Sequence, residues 1–226
     1  RQRQMCIRDR YHAPGFCEGS AWQFTWYVPH DVKSLINLIG ERQFIDRLNA
    51  GFATSEKVSF NALGDNMGAY PINHGNETNM QAAYLFSYTS EPWHTQKWAR
   101  AIQEKYYGMG PRDAYPGDED QGQMSSWYIL SSIGLFQMDG GCSKDPVWLL
   151  GSPRFDRVEI LLDNTYYSGK KLIIKAENVS KDNCYIQYVR FNNKRLSNNY
   201  IEWSKLKKGG TLHFIMGDRP NPNAFK

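Results

Sequence analysis

The residues with the clearest capacity for chemistry are two sets of carboxylates about 100 positions apart in the chain. Glu18 stands in FCEGSAWQFTWYVPHD, where small residues follow it and Trp22, Phe24 and Trp26 lie at alternate positions. An apolar surrounding raises the pKa of a carboxyl group, because burial disfavours the charged form. A raised pKa suits a general acid near neutral pH. The same residues are equally typical of a helix-capping glutamate beside core aromatics.

The second set is the triplet Asp118-Glu119-Asp120, which follows Pro116-Gly117 and precedes a helical pattern. Acids in a first helical turn interact favourably with the helix dipole, and this accounts for one or two of them. It accounts poorly for three, since like charges at close range repel each other. A triplet on a tight loop suits a general base with a partner, or metal coordination.

A third candidate is the segment His74-Gly75-Asn76-Glu77, which ends a Gly/Asn-rich loop. Asn76 and Glu77 offer hard oxygen ligands of the kind that Ca²⁺ prefers. A lone histidine such as His74 is more often a structural group than a ligand.

These carboxylates together indicate a glycosidase. Hydrolysis of a glycosidic bond needs two carboxyl groups in opposite protonation states on either side of the anomeric carbon. Here one acid has aromatic neighbours, and a cluster of acids stands in a polar loop.

The elements that must position these residues are helical from Tyr11 to about residue 139. Asp31 is placed to cap a helix that Gly40 ends, and further apolar periods predict helices around 44–48, 76–86, 91–102 and 121–135. The loops at 65–76, 108–120 and 139–147 are rich in Gly, Asn, Asp and Pro, and such loops often carry active sites.

After about residue 140 the pattern changes to short β-rich runs with turns every 8 to 12 residues. The predicted strands are Val158–Leu162, Leu172–Lys175, Ile186–Phe191 and Thr211–Met216. We therefore expect an α+β chain with a helical domain over 11–139 and a small antiparallel β domain over 140–226.

Composition excludes several other classes. The formal net charge of +4 is small and scattered, and no polybasic run exists, so nucleic acid is not an expected partner. No stretch of about 20 apolar residues exists to span a membrane. The four cysteines contain no CxxC pair, which leaves free thiols or disulfides open. Residues 1–10, RQRQMCIRDR, resemble a translated sequencing adapter, and we expect the native N-terminus to be missing.

Several long blocks resemble glycoside hydrolase family 92. They are FCEGSAWQFTWYVPHD, HGNETNMQAAYLFSYTSEPWHTQ and GDEDQGQMSSWYILSSIGLF followed by LLGSPRFDRVEI, in the family's order. The resemblance implies an exo-acting, calcium-dependent α-mannosidase that inverts the anomeric configuration. It also implies the C-terminal part of an (α/α)₆ helical barrel followed by β structure, in a bacterial protein.

The resemblance implies a role for each candidate. Glu18 matches the general acid, and Asp118 and Asp120 match the pair that supplies the base. Ca²⁺ would bind the 2- and 3-hydroxyls of the terminal mannose, with Asn76 and Glu77 as ligands. The residues implied to contact the substrate are Trp22, His74 and Glu77. The implied substrates are mannose-containing glycans, either N-glycan or mannan. The implied linkage is α-1,2.

Two departures from the family matter. Many members carry a His pair where this chain has Met80-Gln81, near the substrate, which bears on the linkage preference. The family's N-terminal β-sandwich and the first part of its barrel are absent, so we expect the chain alone to be inactive. The family also implies a periplasmic, cell-surface or secreted location. The alternatives are another inverting (α/α)₆ glycosidase or phosphorylase, and a non-catalytic carbohydrate-binding fragment.

Overall fold

The computed structural model describes residue 16 and residues 19–57, 70–111 and 114–226. The chain divides into two compact units. The first, here the helical unit, comprises Arg1–Thr89 and Ala101–Tyr128. The second, here the sheet unit, comprises Ser90–Arg100 and Ile129–Lys226. Helices and sheets are both present, which confirms the predicted α+β class.

The helices precede most of the strands in the chain. They are α1 (Ala21–Phe24), α2 (Val32–Ile39), α3 (Glu41–Glu56), α4 (Glu77–Met80), a 3₁₀ helix (Ala82–Tyr88), α5 (Trp93–Tyr106) and α6 (Gln123–Ser132). Asp31 caps α2 by accepting a hydrogen bond from the N–H of Ser34 at 3.1 Å, as the sequence predicts. Gly40, with φ of 86°, ends α2 and begins α3, also as predicted.

The core of the helical unit is built on one face of α3. Phe44, Leu48 and Phe52 recur at helical spacing and are fully buried. The Phe44 and Trp26 rings meet edge to face, with their centroids 5.4 Å apart. Aromatic side chains therefore fill this core and fix α3 against the segment that follows α1.

The helix predicted from Asn76 through Phe86 is interrupted. It forms α4, breaks at Gln81, and continues as the 3₁₀ helix. The side-chain amide of Gln81 donates to the carbonyl of Thr78 at 2.9 Å, the carbonyl that a continuous α-helix would pair with Ala82. The side chain thus takes the place of a backbone bond, which apolar spacing alone does not indicate.

Helix α6 is shorter at both ends than the predicted 121–135. Asp120, Gln121 and Gly122 have φ of 51°, 58° and 98°, so the chain cannot be helical before Gln123. At the other end Leu135 belongs to a strand.

The strands form two sheets. They are β1 (Leu135–Phe136), β2 (Val147–Leu150), β3 (Arg157–Leu161), β4 (Lys171–Glu177), β5 (Tyr185–Phe191), β6 (Lys194–Arg195), β7 (Tyr200–Glu202) and β8 (Gly210–Gly217), with helix α7 (Trp203–Leu206) before β8. One sheet has the order β1-β2-β7 and the other β3-β4-β8-β5-β6. The four predicted strands correspond to β3, β4, β5 and β8.

The prediction of an antiparallel sheet is wrong at one pair. Strand β8 lies between β4 and β5 and runs parallel to β4, with Leu172 opposite Gly210 and Ile174 opposite Leu212. The two strands are distant in the chain, so no hairpin fixes their direction. One face of this sheet, with Ile174, Leu212 and Phe214, forms the core of the sheet unit.

Within the described ranges, no helix has the length and apolar character that crossing a bilayer requires. Cys142 and Cys184, the cysteines in those ranges, form no disulfide with each other.

Candidate active site

The acid triplet lies in the turn before α6, and its central residue anchors that turn. The Glu119 carboxylate accepts hydrogen bonds from the hydroxyl of Ser125 at 2.6 Å, the N–H of Ser125 at 3.4 Å and the N–H of Gly122. The Ser125 hydroxyl bond is the largest cause that lowers the pKa of Glu119. Glu119 therefore has the capping role that one acid of the triplet was expected to have.

The turn that carries Asp120 has an uncommon backbone. Asp120 and Gln121 are consecutive non-glycine residues in the left-handed region, and Gly122 follows with φ of 98°. Non-glycine residues in this region cost on the order of 1–3 kcal/mol each, and such residues cluster at functional sites. The bonds from Glu119 to Gly122 and Ser125 offset part of this cost, because they close the turn.

Asp120 is the acid of the turn whose pKa is raised. Burial raises its pKa first, and the negative charges of Glu77, Asp118 and Glu119 raise it further. Asp120 and Glu77 are half-buried, whereas Asp118 is exposed. None of Glu77, Asp118 and Asp120 forms an ion pair with a basic side chain in the part of the chain that the structure describes.

The turn formed by residues 117–122 is called here the acid turn. Direct backbone contact joins it to the His74–Glu77 segment. A Cβ atom built on Gly117 would lie 2.2 Å from the carbonyl oxygen of Gly75. Only glycine permits this approach, so Gly117 is a structural requirement of the site. The two segments that the sequence singled out, 40 residues apart, are thus brought together.

The oxygens of this cluster fit Ca²⁺ by their chemistry. Asn76 and Glu77 supply an amide and a carboxylate, and the surrounding negative charge has no basic partner among the described residues. These side chains do not form a complete metal site. In residues 16, 19–57, 70–111 and 114–226, no group of three His, Cys, Asp or Glu side chains lies close enough to hold a metal ion. A cation here would take at most two carboxylates and complete its shell with other oxygens.

His74 lies in an aromatic cluster rather than at the surface. It is fully buried, its Nε2 lies 2.9 Å from the hydroxyl of Tyr107, and the Trp127 ring stands edge-on at 4.3 Å. Burial lowers the pKa of His74 to about 3, so the ring is neutral. The described conformation gives a ligand no access to this ring. Its position is that of a support for Gly75 and Asn76.

Trp22 is half-buried in α1, beside a cation. The guanidinium carbon of Arg47 lies 5.8 Å from the ring centroid of Trp22 and 5.8 Å from that of Trp26. Helix α1 is tied to α4, because the amide of Asn79 donates to the carbonyl of Gln23 at 2.9 Å. The segment after Glu18 is thereby fixed to the segment that carries Glu77. Glu18 itself lies outside the described residues.

Met80 and Gln81, which replace the His pair of many family members, are both buried. The amide of Gln81 also donates to the carbonyl of Trp26 at 3.3 Å. Both of its contacts are therefore structural.

Two contributors escaped the sequence reading, the contact of Gly117 and Tyr107, and the expected capping role was not assigned to Glu119. For Glu119 and Gly117 the signal was present, since Gly117 opens the acid turn and Ser125 lies six residues after Glu119. Tyr107 stands in a loop with no pattern that indicates its partner.

Comparisons with known proteins agree on the kind of protein. The model of the glycosyl hydrolase family 92 catalytic domain matches residues 3–218. A family GH92 α-mannosidase from Bacteroides thetaiotaomicron is 34% identical with a TM-score of 0.77, over 91% of this chain and 25% of that one. A structure of that enzyme with mannoimidazole has a TM-score of 0.78 at 31% identity, over 96% and 29%.

Two further relatives extend the comparison. A family GH92 inverting mannosidase from the same bacterium has a TM-score of 0.78 at 31% identity, over 96% of this chain and 30% of that one. An uncharacterized secreted glycosidase of the fungus Arthroderma benhamiae is 29% identical over 203 residues, which are 88% of this chain and 23% of that protein. The chain thus spans about a quarter of the length of its relatives. By the family match over nearly its whole length, the chain belongs to glycosyl hydrolase family 92.

Proposed function

We propose that the chain carries the catalytic acids of an exo-acting α-mannosidase, which removes terminal α-linked mannose with inversion. The observation that carries the proposal is the pair Asp118 and Asp120 on a turn anchored by Glu119 and pressed against the Gly75–Glu77 segment. The relatives support the choice of sugar, since one is an α-mannosidase that was also solved with mannoimidazole and another is an inverting mannosidase.

In this mechanism Glu18 is the general acid that protonates the leaving oxygen. Asp120 is the general base that takes a proton from the attacking water, and Asp118 supports it. Asp120 is preferred as the base because the left-handed turn fixes its backbone, while Asp118 is exposed. Inversion requires a separation of about 6.5–9.5 Å between acid and base, which leaves room for the water.

We assign Asn76 and Glu77 as protein ligands of a Ca²⁺ ion. When bound, Ca²⁺ supplies a template for two sugar hydroxyls and stabilises negative charge. Glu77 also contacts the substrate in this proposal, and His74 holds the 74–77 segment through its bond to Tyr107. Trp22 contributes an apolar wall, with Arg47 holding its ring.

The substrates in this proposal are mannose-containing glycans, with the α-1,2 linkage as the first to test. Activity requires a longer polypeptide that adds the N-terminal β-sandwich and the rest of the barrel. The chain spans about a quarter of the length of its relatives, and the family resemblance implies that both domains contribute to the site. A secreted, periplasmic or cell-surface location suits such substrates and agrees with the secreted fungal relative.

The test uses the full-length parent of this chain. Mannose release from 4-nitrophenyl α-mannoside and α-1,2-mannobiose is measured with Ca²⁺ and with EDTA, beside release of glucose from the matching glucoside. We expect release of mannose alone, reduced at least tenfold by EDTA and restored by added Ca²⁺. Preferred cleavage of the glucoside would contradict the choice of sugar, and full activity in EDTA would contradict the assigned metal.

A further inference from the structure

A row of basic side chains crosses the five-stranded sheet of the sheet unit. Arg157 lies opposite Lys175, Lys175 opposite His213, His213 opposite Arg190, and Arg190 opposite Arg195. Directly opposed residues in a sheet project from the same face, and strands lie ~4.8 Å apart, so the row is about 19 Å long. The register therefore collects charges that are scattered in the sequence.

A cavity of about 300 Å³ opens beside the centre of this row. The side chains that line it are Lys175, Asn192, Asn193, Thr211 and His213. Its volume is at the lower end of the range of about 300–1,000 Å³ for small-molecule sites. Most such sites are apolar, whereas every residue lining this one has a polar side chain. Its occupant must therefore be small, polar and rich in acceptors.

Two of these side chains are available to a ligand. Lys175 forms no ion pair, and the amide of Asn193 forms no hydrogen bond, within the described part of the chain. His213 already has a neighbour, since its Nε2 lies 2.9 Å from a carboxylate oxygen of Glu177. An ammonium without a partner beside a free amide suits an anion that also offers hydroxyl groups.

The wall of the cavity is preformed. Asn192 and Asn193 have φ of 47° and 68°, the left-handed pair that a tight turn between β5 and β6 needs. The side-chain oxygen of Asn192 accepts from the N–H of Thr211 at 2.8 Å, which joins the turn to β8. The backbone that carries Asn193 is thus held in place beside β8.

We propose that this cavity binds the phosphate or sulfate ester group of a sugar. Lys175 neutralises the oxyanion, Asn193 and Thr211 bond its oxygens or the adjoining hydroxyls, and Arg190 adds positive potential from the next strand. A membrane surface would engage the row without needing a cavity, so a sugar ester is the better match. The acids of the proposed hydrolysis lie in the helical unit, and this binding does not depend on them.

The experiment is a calorimetric titration of the 226-residue chain with mannose 6-phosphate, mannose and inorganic phosphate. We expect saturable binding of mannose 6-phosphate, at least tenfold weaker binding of the other two, and a further tenfold loss in Lys175→Ala and in Asn193→Gly, where glycine keeps the left-handed backbone. Lys181→Ala is the matched control, because Lys181 is an exposed lysine of the same unit outside the cavity. Thermal melts of all variants establish that folding is unchanged.

Three results of this titration would overturn the proposal. They are the absence of binding, equal affinity for inorganic phosphate and mannose 6-phosphate, and equal weakening by Lys175→Ala and Lys181→Ala. The last result would mean that net charge alone attracts the anion. Binding to anionic vesicles that survives Lys175→Ala and exceeds binding of the sugar ester would assign the row to a membrane instead.

Discussion

At the scale of the residue, three consecutive acids have three different surroundings. Glu119 is anchored by Gly122 and Ser125, Asp120 is half-buried among negative charges, and Asp118 is exposed. The sequence predicts the cluster but not this division of roles. The bonds to Glu119 exist only because the turn bends back on itself, and the left-handed residues that bend it have no reliable signature in the sequence.

Replacement of Asp120 by Asn tests the base directly. The side chain keeps its shape but no longer accepts a proton, so kcat of the full-length parent should fall by about 10²–10⁴. The melting temperature should not fall, because the change removes a carboxylate repelled by Glu77 and Asp118. Asp182→Asn, at an exposed acid of the sheet unit, is the control. Full activity of Asp120→Asn would exclude Asp120 as the base.

At the scale of the element, the sequence predicts what depends on near neighbours. Asp31 and Gly40 mark the ends of α2, and four of the eight strands in the described residues are found from their β-rich runs. The break at Gln81 and the parallel pairing of β4 and β8 were missed. The helix breaks at Gln81 because a side-chain amide takes the place of a backbone hydrogen bond. The pairing of β4 with β8 joins strands that are distant in the chain, so local sequence does not fix its direction.

The contact of Gly117 with Gly75 predicts a large effect from one methyl group. In Gly117→Ala the Cβ atom, 2.2 Å from the Gly75 carbonyl, must push the acid turn away from the Glu77 segment. A misplacement of about 1 Å costs ~100-fold in rate, so kcat/KM should fall by about that factor. In Gly51→Ala, the control, the nearest atom is 3.4 Å from the new Cβ, and kcat/KM should be unchanged. Equal activities of the two variants would show that the contact does not position the acids.

The buried His74 predicts a pH dependence of stability. Its pKa is about 3 in the folded state against an ordinary value of 6.5. The unfolded chain therefore binds a proton below pH 6.5 that the folded chain binds only near pH 3, and stability falls as the pH falls through this window. Between pH 7.5 and pH 5.5 this proton lowers the free energy of unfolding by about 1.4 kcal/mol. This pH interval lies above the range in which ordinary carboxylates titrate.

Urea unfolding at the two pH values measures this loss. His74→Gln should abolish it, while His30→Gln, at an exposed histidine of the same unit, should leave it unchanged. A wild-type stability that is constant between pH 7.5 and 5.5 would contradict the burial of His74.

At the scale of the whole molecule, the chain corresponds to about a quarter of the length of its relatives. Its acid turn, its Asn76-Glu77 segment and α1 all belong to the helical unit. The sequence singled out the acid turn and the Asn76-Glu77 segment as contiguous blocks, and the structure brings these two together. The sequence did not predict the basic row of the sheet unit, because strand register alone aligns those residues.

The most direct test of the central claim is the configuration of the sugar when it is first released. Proton NMR follows the hydrolysis of 4-nitrophenyl α-mannoside by the full-length parent, before mutarotation mixes the anomers. An acid and a base that act through one water predict β-mannose first, formed about 10²–10⁴ times more slowly by Asp120→Asn. Release of α-mannose first would contradict the account, because it requires one of the carboxylates to act as a nucleophile.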